Sequence, residues 1–302
     1  MSPPPRPWNH PGLFLRLVAL NNRETAGFVG VPERSLAGRV VSVLATPFSV
    51  AFVLRLFQVN AHAQRDGLAA AFRWVLTKYY RGVRVSGSVP RTGGLLVLGN
   101  HPGIGDGLAL YEQLQRDDVV FVAKPRELIA GFKGITQHLI LLPPDNKPAV
   151  QAIEQVATHL QSGGTVIVFP GGRIEPDPAY HAAKAAAIHE WSRIADLLHR
   201  IARRRGFSFA VLPARSSQVT APRSHRLAFA RAVSGEAHDR RAALHTMAFR
   251  AARRSDLYLD FGPLIHAGAQ DEAGSPEEAS HADVRSSRGE PGITERARNW
   301  IY

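Results

Sequence analysis

Not one of the 302 residues is cysteine, which excludes disulfide frameworks, thiolate metal sites and cysteine nucleophiles. Lysine is scarce as well: five of the 37 basic residues are Lys and the rest Arg. Arginine's planar fork suits bidentate phosphate contacts, although such a bias also follows from the codon usage of a source genome. The thirteen histidines are not scarce, but no pair falls in an H-E-x-x-H or comparable ligand spacing, so the expectation is no metal and no cofactor. A long hydrophobic run is also lacking. A charge-free apolar stretch, 40–54, lies between Arg39 and Arg55 and covers about 22 Å as a helix, short of the roughly 30 Å hydrocarbon core. Such a helix dips into a bilayer without crossing it. If Arg55 snorkels, the run extends to Val59 and a span becomes conceivable, with Pro47 imposing a kink; the competing reading is a buried soluble helix. The Pro-rich opening, 1–12, carries no secretory signal, so the mature chain is expected to begin there. Acidic residues are outnumbered, 25 against 37, and the resulting charge of +12 implies an anionic partner: nucleic acid, an acidic membrane surface or a polyanionic substrate. No basic helix with interleaved aromatics accompanies the charge, so no nucleic acid is expected.

What is present fits a globular chain, 45% hydrophobic and 21% charged, long enough to bury a full core. Residues 1–35 are rich in Pro, Asn and Gly and read as an irregular segment. Residues 36–80 read as a helical hairpin that associates with membrane, its second helix over 63–80 with Leu68, Phe72, Leu76 and Tyr79 at helical spacing. From 81 to 265 strand-like and helix-like stretches alternate, the signature of an α/β domain with a mixed central sheet flanked by helices. Strands are expected at 83–85, 95–98, 119–122, 140–142, 165–169, 209–212 and 257–261. The clearest helices are 107–115, 149–161 and 181–204, the last with Ile188, Trp191, Ile194, Leu198 and Ile201 on one face. Residues 266–302 turn to Gly, Ser, Glu, Asp and Ala and read as a flexible tail closed by a short helix over 294–302.

One segment carries reactive residue types. Leu95-Leu-Val-Leu-Gly-Asn-His-Pro-Gly-Ile-Gly-Asp106 runs from an apolar strand through a Gly-rich turn into a helix. Loops at strand ends are where α/β domains place reactive groups. His101 at the strand end and Asp106 at the helix entrance can meet across a tight turn. The carboxylate then fixes the imidazole tautomer, and the other ring nitrogen takes a proton from a hydroxyl. The competing reading is that Asp106 caps its helix. Gly103, Gly105 and Gly107 give G-x-G-x-G rather than G-x-G-x-x-G, so a dinucleotide site is rejected.

The pattern His101-Pro-Gly-Ile-Gly-Asp106 resembles the H-x4-D signature of the glycerol-phosphate acyltransferase superfamily, which includes the 1-acylglycerol-3-phosphate acyltransferases. Three further blocks follow in that family's order: Val122-Ala-Lys-Pro-Arg-Glu-Leu128 with Gly134, Val166-Ile-Val-Phe-Pro-Gly-Gly-Arg173, and Val211-Leu-Pro-Ala214. Four blocks in order are far more specific than one. The resemblance implies transfer of a fatty acyl group from an acyl-CoA or acyl-carrier-protein thioester to a lipid hydroxyl, on the cytoplasmic face of a membrane. His101 acts as general base, Asp106 orients it, and no covalent acyl-enzyme forms. Backbone N–H groups of Gly171 and Gly172 are candidate donors to the oxyanion. Lys124, Arg126, Lys147 and Arg173 are candidate headgroup contacts, or solvated surface charges.

The chain departs from the family pattern in three places. The usual Ser two residues after the His is Gly103. The third block, usually Phe-Pro-Glu-Gly-Thr-Arg, has Gly171 in place of its Glu and Ile174 at its Arg position, with Arg173 one place earlier. The Arg that closes the second block has no counterpart in Leu142-Pro-Pro-Asp-Asn-Lys147. Glu175 and Asp177 either replace the missing carboxylate or shape a Pro-rich turn. An acyltransferase acting on a non-phosphate lipid, or a non-catalytic lipid-binding protein on the same fold, therefore stands as the alternative.

Overall fold

The computed structural model describes residues 10–32, 34–144, 148–181, 191–269 and 291–302. Its centre is a mixed eight-stranded sheet built from β1 (Gly82–Ser86), β2 (Leu95–Gly99), β3 (Val119–Ala123), β4 (Leu139–Leu141), β5 (Thr165–Val168), β6 (Ser208–Ser217), β7 (Asp256–Phe261) and β8 (Ile265–Gly268). The order is β1-β7-β6-β2-β5-β3-β4. β2 runs parallel to both its neighbours, in register Leu95↔Thr165 with β5 and Leu95↔Ala210 with β6. β7 pairs antiparallel with the second half of β6 and β8 antiparallel with its first half. β2 is buried along its whole length, which is why it reads as a continuous apolar run rather than an alternating one.

Successive side chains of β2 feed opposite cores. Leu95 and Val97 pack with the helices α1 (Pro11–Phe28), α2 (Leu36–Asp66), α3 (Leu68–Tyr79) and α4 (Gly105–Leu114). Leu96 and Leu98 pack with α5 (Val150–Gln161), α6 (Ile194–Arg205) and the terminal helix Ile293–Ile301. A further helix, α7 (Gly235–Ala248), lies between β6 and β7 in sequence; with the terminal helix taken as α8, this completes the long elements.

Four expectations are corrected. Residues 1–35 are not all irregular: Pro11 opens α1 at a position where its missing N–H costs nothing. The buried face of α1 mixes Leu17 and Val18 with Asn21 and Thr25, so it lacks an apolar stripe. Asn21 Nδ2 instead donates to Ser49 Oγ of α2 at 2.9 Å. The break between α2 and α3 falls at Gly67, whose φ of 87° is left-handed, and α2 runs on to Asp66. Of the helix expected over 181–204, residues 182–190 lie outside the described residues, 191–193 are not helical, with Trp191 there donating to Glu175, and α6 begins at Ile194. Residues 266–268, expected as tail, join Ile265 in β8; residues 270–290 of the expected tail lie outside the described residues, as does Lys147.

Candidate active site

At the carboxyl end of β2 the chain leaves the sheet under tight control. The buried Asn100 amide donates to Ser216 O at 2.9 Å and accepts from Ser216 N at 2.7 Å, clamping the strand end to β6 as a backbone pair would. His101 follows, and the turn 102–104 leads into α4. Gly105 has to be glycine here, since a Cβ would lie 2.1 Å from the hydroxyl of buried Tyr80, which itself donates to Val219 O at 2.8 Å.

This turn brings His101 Nδ1 to 2.9 Å from Asp106 Oδ2. The same oxygen accepts Gly103 N–H at 3.1 Å, and Oδ1 accepts Gly107 N–H at 2.5 Å. Asp106 is fully buried and sits in the first turn of α4, where the helix dipole favours a carboxylate; Ile104, not Asp106, is the N-cap residue. The His101 ring stacks on Phe169, centroids 4.5 Å apart at 20°. Burial pulls its pKa down, but the charge and hydrogen bond of Asp106, with Glu175 behind, outweigh that and leave it above the ordinary histidine value.

Glu175 is the residue whose role the sequence left open. Its Oε2 accepts His101 N–H at 2.8 Å, while its own N–H donates to His101 O at 2.8 Å. Its Oε1 accepts from Trp191 Nε1 at 2.9 Å and from the Tyr302 hydroxyl at 3.1 Å. A Cβ at Gly171 would lie 2.8 Å from that oxygen, so the buried Glu175 carboxylate fills the space beside Gly171. Asp177 does shape a turn. It accepts from the backbone N–H of Ala179, Gln218 and Thr220, and burial raises its pKa despite these bonds.

His101 lines a cavity of ≈ 480 Å³ whose walls are largely apolar, with Phe48 and Phe52 of α2 on one side and Leu244 and Met247 of α7 on another. Arg126, Gly172 and Arg173 also line it, whereas Lys124 is exposed outside this lining. Each arginine faces an acid: Arg126 lies 3.8 Å from Glu24 of α1, and Arg173 3.7 Å from Glu236 of α7. Gly172 cannot serve as an oxyanion donor in this conformation, because its N–H closes the tight turn onto Phe169 O at 3.0 Å. Asn100, Phe169, Glu175 and the N-terminal wall of the cavity were not assigned from the sequence. Asn100 and Phe169 adjoin the motifs, but nothing local marks Glu175 as the partner of a backbone 74 residues away.

The Acyltransferase family model matches residues 82–198. Among solved structures, the chain is similar to the 1-acyl-sn-glycerophosphate (LPA) acyltransferase PlsC from Thermotoga maritima, with a TM-score of 0.39 and 18% identity over 88% of this chain and 86% of that one. No curated protein matches the sequence. The segment that the Acyltransferase family model matches carries His101, Asp106 and the second and third blocks.

Proposed function

We propose that this protein transfers a fatty acyl group from a coenzyme A or carrier-protein thioester to the hydroxyl of a glycerolipid or lysophospholipid. The observation that carries this is the placement of His101 on an apolar cavity with its Nδ1 held by a fully buried carboxylate. Nε2 is then the nitrogen left for substrate. It takes the acceptor's hydroxyl proton as that oxygen attacks the thioester carbonyl; the C–S bond breaks and the thiolate recovers the proton from the imidazolium. His101 and Asp106 are adequate for this without a covalent intermediate. Glu175, bonded to the His101 backbone, is a positioning residue. The apolar walls suit an acyl chain, and Arg126 and Arg173 suit an anionic headgroup that displaces Glu24 and Glu236.

Helix α2 is long and apolar enough to cross a membrane by length and composition. Its C-terminal half is nevertheless fixed to the domain: Phe57 packs edge-on to Phe132, centroids 5.1 Å apart, and Asn60 Oδ1 accepts Gly134 N–H at 2.9 Å. Its N-terminal half exposes Leu36, Val40, Val43 and Leu44. That division supports attachment to one membrane leaflet by the tip of α2.

The test is mass spectrometry of lipids after incubation with a labelled acyl thioester and a panel of lysophospholipid and neutral lipid alcohols. An acylated acceptor is expected, with a loss of about 10²–10⁴-fold in His101→Ala, the usual worth of a general base. No product from any acceptor, or an unimpaired His101→Ala, overturns the reading.

A further inference from the structure

Histidines without ligand spacing in the sequence converge in the fold. His181 stands at the end of the helical residues 178–181 that follow Asp177, His225 on the short helix Pro222–Arg226, and His238 and Asp239 on α7. One nitrogen or oxygen from each lies within 4.8 Å of the others. The three ring centroids are 5.2, 5.4 and 5.9 Å apart. Asp239 Oδ1 is 3.2 Å from both His181 Nε2 and His238 Nδ1.

Two of these nitrogens are unaccounted for by the protein. His181 Nε2, not hydrogen bonded to Asp239 in spite of its proximity, and His225 Nδ1 are buried with no hydrogen-bond partner among the described residues. The tautomer of His225 follows from its other nitrogen. Thr220 gives its one hydroxyl proton to Asp177 Oδ2 at 3.1 Å, so at 2.7 Å it accepts from His225 Nε2–H, leaving Nδ1 with a free lone pair. A buried imidazole held by its far nitrogen, through a hydroxyl to a carboxylate, is the support that metal-binding histidines receive.

We propose that His181, His225, His238 and Asp239 bind one divalent transition-metal ion of the zinc type. Three imidazoles and a carboxylate without thiolate suit Zn²⁺, and four protein ligands fill its tetrahedron, as in structural rather than catalytic sites. Bonds of about 2.0 Å place tetrahedral donor atoms roughly 3.3 Å and ring centroids roughly 5 Å apart. The ring separations already fit, and the widest donor pair closes by roughly 1.5 Å on binding. The ion ties α7 to the helical residues after Asp177 and to the loop 218–221 with the short helix that follows it. α7 carries Leu244 and Met247 of the cavity wall and Glu236 beside Arg173, while Val219 of the loop abuts Gly103. The metal thus braces the back of the cavity, whatever reaction takes place in front.

The experiment uses untagged full-length protein, stripped with a chelator, dialysed against Zn²⁺ and analysed for bound metal, with Co²⁺ as a spectroscopic probe. One equivalent of Zn²⁺, a rise in Tm on reloading, and the visible bands of tetrahedral cobalt with nitrogen and oxygen ligands are expected. His225→Ala and His238→Ala should lose the equivalent, and His266→Ala, whose exposed ring is outside the cluster, should keep it. Sub-stoichiometric zinc, or undiminished zinc in the cluster variants, overturns the proposal. The wild-type cobalt spectrum decides the matter even where a variant fails to fold, since the absence of tetrahedral bands is sufficient to reject the site.

Discussion

Asp106 gives one carboxylate to three donors, and the division of labour between its oxygens matters for chemistry. Oδ1 and the helix dipole hold the group in place, while Oδ2 holds both the turn at Gly103 and the imidazole. His101 is therefore tuned as well as aimed: burial lowers its pKa, and Asp106 and Glu175 raise it further than burial lowers it. In the proposed mechanism His101 works in its neutral form, so a raised pKa moves the acid limb of kcat/KM above the ordinary value near pH 6.5. Asp106→Asn removes the largest raising influence, and the limb should move to lower pH while the plateau falls by roughly 10²-fold or more. A pH-rate profile of both proteins checks this; a limb that stays in place in the variant would detach Asp106 from the base. Arg173 makes the second prediction at this scale. Truncating an arginine that holds an anionic headgroup costs about 1.5–3 kcal/mol, roughly tenfold to over a hundredfold in kcat/KM. Arg173→Ala should impose that penalty on phosphate-bearing acceptors and spare neutral ones. Equal reductions would favour a non-phosphate acceptor, with Arg173 engaged by Glu236 instead of by substrate.

At the level of elements, α2 is two helices in one. At 31 residues it is roughly 46 Å long, yet only the half after Pro47 is committed to the core, through Val53, Phe57 and Ala63. The other half leaves Val43 71% and Leu44 75% exposed, and Leu15 of α1 is exposed as well. Deleting residues 1–60 is a poor test of attachment, because it strips Phe57 and Asn60 from Phe132 and Gly134 and removes one wall of the cavity. Val43→Asp with Leu44→Asp changes only exposed positions. Flotation with vesicles should fall at least tenfold while far-UV circular dichroism and Tm are kept; undiminished flotation would show that this end of α2 is not the anchor.

The same elements show what a sequence discloses. β2 and β5 were legible because strands buried on both faces are uninterrupted apolar runs, and the His101–Asp106 pair because both partners lie on one short turn. α1 was missed because its buried face is partly polar, and β8 because four residues with a His and a Gly carry no strand pattern. Glu175 and the histidine cluster depend on contacts between distant segments, which no local spacing encodes.

For the whole molecule, the membrane attachment proposed above draws on charge and apolar surface by different physics. The net charge of +12 acts through solution and is screened over a Debye length of about 10 Å at 0.1 M salt and about 3 Å at 1 M. Burial of the α2 tip in the headgroup region is not screened in that way, since it depends on apolar area removed from water. The cavity lies between the two contributions: α1 and α2 form one wall, and Arg126 and Arg173 stand among its lining residues. Binding to vesicles containing anionic lipid should therefore be tighter than to neutral vesicles at low salt, and should decline as NaCl is raised. It should decline to the level seen with neutral vesicles and stop there, because the apolar contribution persists. In the Val43→Asp, Leu44→Asp protein the residual binding should vanish, leaving only the salt-sensitive part. Sedimentation with both vesicle types across a salt series separates the two. Complete release of the wild-type protein by salt would mean that charge alone holds it at the surface, and the exposed end of α2 would need another role.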